Sequence, residues 1–104
     1  MMIEKAELKE IIVYLENKPV IVCDPYPQYN ELIYRLLGSL GYDVDYLDKY
    51  EEVGNKDIEL MDLVDLRVFF TYIVRGERFS EGFIMEYLNN GMLLKLAKRE
   101  WELL

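Results

Sequence analysis

The residues best suited to chemistry in this sequence form one short charged segment. Residues 75–82 read Arg-Gly-Glu-Arg-Phe-Ser-Glu-Gly, and we call them the charged junction because amphipathic patterns flank them on both sides. Guanidinium and carboxylate groups spaced three residues apart can meet in a local network. Two arginines beside the first amides of a helix can also hold a carboxylate or a phosphate. The candidate cluster is Arg75, Glu77, Arg78, Ser80 and Glu81.

Two interpretations of this cluster stay open. In the first it is structural: the arginines bond the last carbonyls of one helix, and Glu81 bonds the first amides of the next. In the second it is an anion pocket. The structural interpretation is favoured because ion-pair networks also occur in ordinary scaffolds.

Residue types that are missing exclude much other chemistry. The chain has no histidine, which rules out Ser-His-Asp triads and histidine-dependent metal centres. Cys23 is the only cysteine, so no intramolecular disulfide forms and a reducing compartment, the cytoplasm, is expected. The sequence also lacks a phosphate-binding glycine loop. We therefore predict no catalytic residue, no metal and no cofactor, and we favour a protein that is not an enzyme.

The charge balance bears on partners. The 104 residues include 12 basic and 20 acidic ones, for a net charge of −8. Because the basic residues are scattered, direct binding of nucleic acid is not expected. The acidic stretch at residues 43–52 lacks the ligand order of an EF-hand, which favours a solvated acidic loop over a metal site. No apolar run is long enough to span a membrane.

Length and hydrophobic spacing predict the architecture. A chain of this size, with 52% hydrophobic residues, is expected to form a single domain over residues 1–104. The apolar spacing predicts an all-α fold, a compact bundle of about five helices, with a short extended segment near residues 19–23. The helices are predicted over residues 3–16, 29–40, 62–75, 80–89 and 92–104, with a further short one near residues 47–53.

Local signals set the ends of the predicted helices. Asp62 is expected to cap the third long helix, and Ser80 the one after it, with Phe79 and Ile84 packed across that second cap. Gly41 and Gly91 are expected to end helices in the left-handed conformation. The run over residues 68–74 is rich in strand formers, yet its three-to-four spacing favours a helix.

Aromatic residues and the last helix suggest an interface. The last helix carries more apolar side chains than one short contact face needs, so part of its stripe is expected to stay exposed. We predict a protein partner or a symmetric homodimer, since twofold dimers are the commonest oligomers. The candidate interface residues are Tyr42, Tyr46, Tyr50, Trp101 and Leu104.

The C-terminal half resembles a known family. An aspartate-capped helix that ends in Arg-x-x-Arg-Phe-x-Glu-Gly, followed by Gly91 and a leucine-rich helix, is similar to a family of short uncharacterised bacterial and archaeal proteins, a domain of unknown function. Members of that family often carry Cys where this chain has Ser80, and His where it has Phe83. The resemblance implies a fold but no activity.

The function is therefore narrowed to three hypotheses. The favoured one is a small acidic interaction domain that binds a protein through an exposed tyrosine and leucine surface. The second is a small-molecule or anion-binding protein, or an enzyme, that uses Arg75, Glu77, Arg78 and Glu81. The third, which rests only on the charge of −8, is a nucleic-acid mimic that blocks a DNA- or RNA-binding protein.

Overall fold

Six α-helices and one 3₁₀ turn make up the part of the chain that the computed structural model describes, residues 3–17, 29–80 and 82–104. The helices are α1 (Lys5–Asn17), α2 (Glu31–Leu37), α3 (Tyr46–Gly54), α4 (Leu63–Phe79), α5 (Phe83–Asn89) and α6 (Met92–Leu103), and the 3₁₀ turn is Ile58–Leu60. No strand occurs in these ranges, so the all-α prediction is confirmed. The segment near residues 19–23 lies outside the described residues. None of the described helices is long and apolar enough to cross a membrane.

The longest helix, α4, occupies the centre of the fold. It contacts α2, α3, α5 and α6, while α1 packs against α2 and α6. The predicted apolar face of α1 is buried, and so are Phe69, Phe70 and Ile73 of α4. Residues 68–74 are therefore helical despite their strand propensity, because the helical spacing places their large side chains in one core.

The start of α4 follows the local sequence signal. The Asp65 N–H donates to the Asp62 carboxylate at 2.9 Å, and the Asp62 N–H donates to the Asp65 carboxylate at 3.1 Å. This reciprocal capping box satisfies amides that a helix start otherwise leaves without partners. The predicted cap at Asp62 is confirmed, and Asp65 adds the second bond.

Three predicted helix ends were wrong. The helix α4 continues past Arg75 to Phe79, and α2 ends at Leu37 rather than near Gly41, although Gly41 does take the left-handed conformation. Ser80 does not cap α5; it follows the end of α4, and its N–H donates to the Gly76 carbonyl. The residue that precedes α5 is instead Gly82, whose φ of 89° favours glycine.

The predicted exposed stripe on the last helix was also wrong. Leu93, Leu96 and Ala97 are fully buried, while Trp101 and Leu104 are half-buried against the core. Lys5 and Lys9 of α1 lie over the Trp101 ring, with ammonium-to-centroid distances of 4.2 and 5.5 Å. The helix α1 thus covers much of the apolar surface that the sequence left without a partner.

One carboxyl group is enclosed in this core. Glu100 of α6 has no exposed surface, and both of its oxygens lie 3.0–3.1 Å from the Ser39 hydroxyl. Ser39 Oγ also lies 2.7 Å from the Leu36 carbonyl. Burial raises the pKa of Glu100 to about 7, against a smaller lowering by Ser39.

Candidate binding surface at the end of α4

The charged junction is mostly helical in this structure. Its first five residues form the last turns of α4, and only residues 80–82 connect to α5. Successive residues of a helix point about 100° apart, so the members of the cluster face different sides. Arg75 and Arg78 line one cavity, Gly76 and Phe79 line another, and Glu77 contacts the start of α5. Glu81 lies outside the described residues.

Glu77 joins three parts of the fold. Its carboxylate accepts hydrogen bonds from the Ile84 N–H at 2.8 Å and the Gly82 N–H at 3.2 Å. The Tyr29 hydroxyl donates to it at 3.3 Å, and burial, together with the Glu77 charge, raises the pKa of Tyr29 to about 12. Glu77 therefore supplies, from the preceding helix, the cap that the start of α5 lacks. Sequence reasoning gave this role to Ser80 and Glu81.

Gly76 permits close contact between α4 and α5. A Cβ atom at this position would lie 2.3 Å from the Phe83 ring, a separation that no real contact allows. The ring of Phe83 also packs edge-on against Tyr72, with 5.3 Å between centroids. Gly76, Glu77 and Gly82 thus have structural roles in the junction between the two helices.

Arg75 and Arg78 have no comparable structural role. They line a cavity of about 110 Å³ together with Tyr42 and Val74. Arg75 is half-buried and Arg78 is exposed, and neither forms an ion pair or side-chain hydrogen bond with another residue of the described ranges. Guanidinium groups without an internal partner are available to bind carboxylates and phosphates.

Phe79 is the most unusual apolar residue of the junction. Its side chain is 87% exposed, although sequence reasoning had packed it against Ile84. It borders an apolar groove of about 300 Å³, and Leu47 at the same groove is 72% exposed. The groove is lined by Tyr46, Leu47, Tyr72, Gly76, Phe79, Ser80 and Phe83. We call the groove and the neighbouring Arg75, Arg78 and Tyr42 the α4-end surface.

The comparison with known families concerns nearly the whole chain. Residues 3–103 match the model of DUF6508, described as a family of unknown function. The chain belongs to this family. The resemblance to a family of unknown function is thereby confirmed. No match was found among curated proteins or among solved structures.

The predicted interface residues of this DUF6508 protein fall into two places. Tyr42, 55% exposed, and half-buried Tyr46 belong to the α4-end surface. Tyr50 lies behind them, with its ring stacked on Tyr72 at 3.5 Å between centroids, and burial raises its pKa to about 12. Trp101 and Leu104 lie instead beside α1. The structure does not bring the two groups into one patch.

A buried aspartate holds the 42–47 segment of the DUF6508 protein against α4. The Asp43 N–H donates to Thr71 Oγ1 at 3.1 Å, while Lys49 donates to the Asp43 carboxylate at 2.9 Å and Arg67 lies 3.5 Å away. The bond from Lys49 is the main reason that the pKa of Asp43 is lowered. Asp43 was predicted to lie in a solvated loop, and it is buried. Over the described ranges, no three acidic, Cys or His side chains converge as a metal site.

Sequence reasoning missed Phe79, Leu47 and Val44 as surface residues. Val44 is 88% exposed, the highest value among the exposed large apolar residues. A weak signal was present for Phe79, since it falls outside the face that Leu66, Phe69 and Ile73 define. No comparable signal marks Leu47, because exposure there depends on how α3 docks on α4.

Proposed function

We propose that this DUF6508 protein is a non-enzymatic interaction domain that binds a segment of another protein at the α4-end surface. The observation that supports it most is the exposure of Phe79 at the rim of an apolar groove, next to two unpaired arginines. Exposed apolar patches of this kind mark contact sites in soluble proteins. Aromatic residues and arginine are also the types enriched where binding energy concentrates.

The different roles of the residues within the charged junction support the same proposal. Gly76, Glu77 and Gly82 are accounted for by the contact between α4 and α5. Arg75, Arg78 and Phe79 are not needed for that contact. We take the motif Arg-x-x-Arg-Phe-x-Glu-Gly as characteristic of the bacterial and archaeal family, with Arg75, Arg78 and Phe79 as its binding residues and Gly82 as a structural one. Gly76 and Glu77 stand at its variable positions.

The charges define the partner's chemistry. Arg75 and Arg78 would pair with carboxylates, while the groove would accept a large apolar side chain. The favoured partner is therefore a segment with a large apolar residue close to Asp or Glu. The proposal places this interaction in the cytoplasm, as the single cysteine indicates.

The other hypotheses have less support. An enzyme at the cluster would need a free carboxylate as acid or base, whereas the Glu77 carboxylate is bonded to two amides and a tyrosine. A nucleic-acid mimic rests on the net charge alone. A homodimer remains an alternative, and the α4-end surface now suits it better than Trp101 or Leu104.

A displayed library of random peptides tests the proposal. The immobilised parent protein should enrich peptides that combine a large apolar residue with nearby Asp or Glu. Phe79→Ser should lose these peptides, and Arg75→Glu/Arg78→Glu should select Lys or Arg in place of the acids. Val64→Ser is the matched control, because Val64 is an exposed apolar residue near the opposite end of α4.

Two results would contradict the proposal. One is a parent that enriches no consensus and also stays monomeric by sedimentation. The other is a consensus that binds Phe79→Ser as tightly as the parent. Self-association of the parent that Phe79→Ser abolishes would identify a second copy of the chain as the occupant.

A further inference from the structure

A second cleft lies away from the α4-end surface and has a different character. It encloses about 540 Å³ between the 3₁₀ turn Ile58–Leu60 and α6. Four of the chain's 12 basic residues line it, in a protein whose net charge is −8. They are Lys56, Lys95, Lys98 and Arg99, and we call this site the basic cleft.

One face of α6 supplies three of the four cations. Residues 95, 98 and 99 have the three-to-four spacing that places side chains together on a helix, where like charges destabilise it. Lys98 lies 3.7 Å from Glu16, an exposed pair that contributes little. Lys95 has no ion pair with any residue that the structure describes. The helix thus carries more positive charge on this face than its own acidic neighbours offset.

Arg99 and Lys56 are held in place by hydrogen bonds. Arg99 Nε donates to the Met61 carbonyl at 3.0 Å, and its Nη1 lies 3.2 Å from Glu102. Lys56 Nζ donates to Asp65 at 2.9 Å, and this bond is the main reason that the pKa of Lys56 is raised. Fixed donors lose little side-chain entropy when they bind a ligand.

The cleft also has an apolar part and acidic lining residues. Ile58 and Met92 are half-buried and line it, and its volume is in the range of small-molecule sites. Asp57, Glu59 and Glu102 also line the cleft, so its four cations exceed the lining carboxylates by one. Asp65 and Glu16, which pair with Lys56 and Lys98, lie outside the lining. Lysines act as point charges, so they would attract most strongly a ligand that carries two negative charges on one compact group.

We infer that the basic cleft binds a small organic phosphate whose apolar part rests on Ile58 and Met92. This site is independent of the proposed function. Asp65 and Arg78, which mark the two sites, are thirteen residues apart on α4, a distance of roughly 20 Å along the helix.

A titration with phenyl phosphate, followed by amide NMR shifts of the full chain, tests the inference. Saturable shifts are expected in α6 and at the 3₁₀ turn. Inorganic phosphate should bind more weakly than phenyl phosphate because it lacks the apolar part, and benzoate should bind more weakly because it carries one charge. Lys95→Gln/Lys98→Gln should weaken binding by about tenfold or more. Lys5→Gln/Arg35→Gln makes the same change in net charge at exposed positions of α1 and α2, outside both sites, and should bind like the parent.

Several outcomes would overturn the inference. The absence of saturable shifts up to about 10 mM phenyl phosphate would exclude even a weak site. Equal losses in the two double variants would show general attraction between charges. Benzoate binding as tightly as phenyl phosphate would contradict the choice of a phosphate. None of these results bears on peptide selection by Phe79, so the two proposals fail separately.

Discussion

The fully buried carboxyl group of Glu100 should make this protein less stable as the pH rises toward neutrality. Ser39 has one hydroxyl proton, and its shortest contact, 2.7 Å, is with the Leu36 carbonyl. If that proton is donated to Leu36, the bond between Ser39 and Glu100 needs a proton from Glu100. Burial is the larger effect: it favours the neutral carboxylic acid and raises the pKa of Glu100 to about 7, against the smaller lowering by a bond from Ser39.

The direction of the pH effect follows from proton binding. The pKa of Glu100 rises from 4.5 to about 7 on folding, so between these values the folded protein keeps a proton that the unfolded chain has lost. The free energy of unfolding consequently falls over this range and levels off above it. A shift of this size corresponds to roughly 3 kcal/mol.

Glu100→Gln replaces the acid by a neutral side chain of the same shape. Its amide can donate to Ser39, so the variant should resemble the parent near pH 4 and exceed it by up to roughly 3 kcal/mol at pH 8. Its second amide hydrogen has no evident acceptor, which makes this an upper limit. Urea unfolding followed by circular dichroism across this pH range gives the measurement.

Glu10→Gln is the matched control. Glu10 is exposed on α1 and has no side-chain bond with any described residue, so its replacement makes the same charge change without affecting the core. The control should follow the parent at every pH. A stability difference between Glu100→Gln and the parent that does not grow with pH would refute the reasoning, because Glu100 would then be ionised or solvated at neutral pH.

Three further substitutions test contacts that hold the α4-end surface. Asp43→Asn removes the carboxylate that pairs with Lys49 and should cost about 2 kcal/mol in urea unfolding near pH 7. The difference should shrink as the pH falls below the usual Asp pKa of 3.8 and vanish only below the lowered pKa of folded Asp43, where the parent also loses its charge. Glu77→Ala should cost about 2 kcal/mol and speed hydrogen exchange of the first α5 amides, and unchanged exchange would contradict its capping role. Gly76→Ala should lower stability by about 1–3 kcal/mol, and Phe83→Leu in the same chain should restore part of that loss. If the stability losses of the two substitutions simply add in the double variant, the Phe83 ring is not what excludes a side chain at position 76.

The sequence predicted the features that depend on neighbours along the chain. The spacing of Leu8, Ile11, Ile12 and Leu15 was enough to define the buried face of α1, and Asp62 was enough to place the start of α4. In both cases the physical cause lies within one or two helical turns. Gly91 likewise takes the left-handed conformation that its position indicated.

The features that depend on distant contacts were not predicted. Gly76 reads locally as a helix breaker, but Phe83 packs against it and α4 continues. The cap of α5 comes from Glu77 across the turn, and no local pattern specifies that partner. The exposure of Phe79 and the burial of Glu100 both result from how separate helices dock. The three-residue spacing of Arg75 and Arg78 did predict that they lie close together. Only the structure shows that neither of them pairs with Glu77.

The packing of α1 on α6 has a consequence for synthesis on the ribosome. The two helices lie near opposite ends of the sequence, and α6 covers apolar surface of α1. Because translation proceeds from the N-terminus, α1 emerges long before the helix that covers it exists. Until then, the part of α1 around Ile12 that faces Trp101 has no partner in its own chain. Completion of the fold therefore waits for the last helix, and the nascent chain is most open to chaperones and to aggregation before that moment.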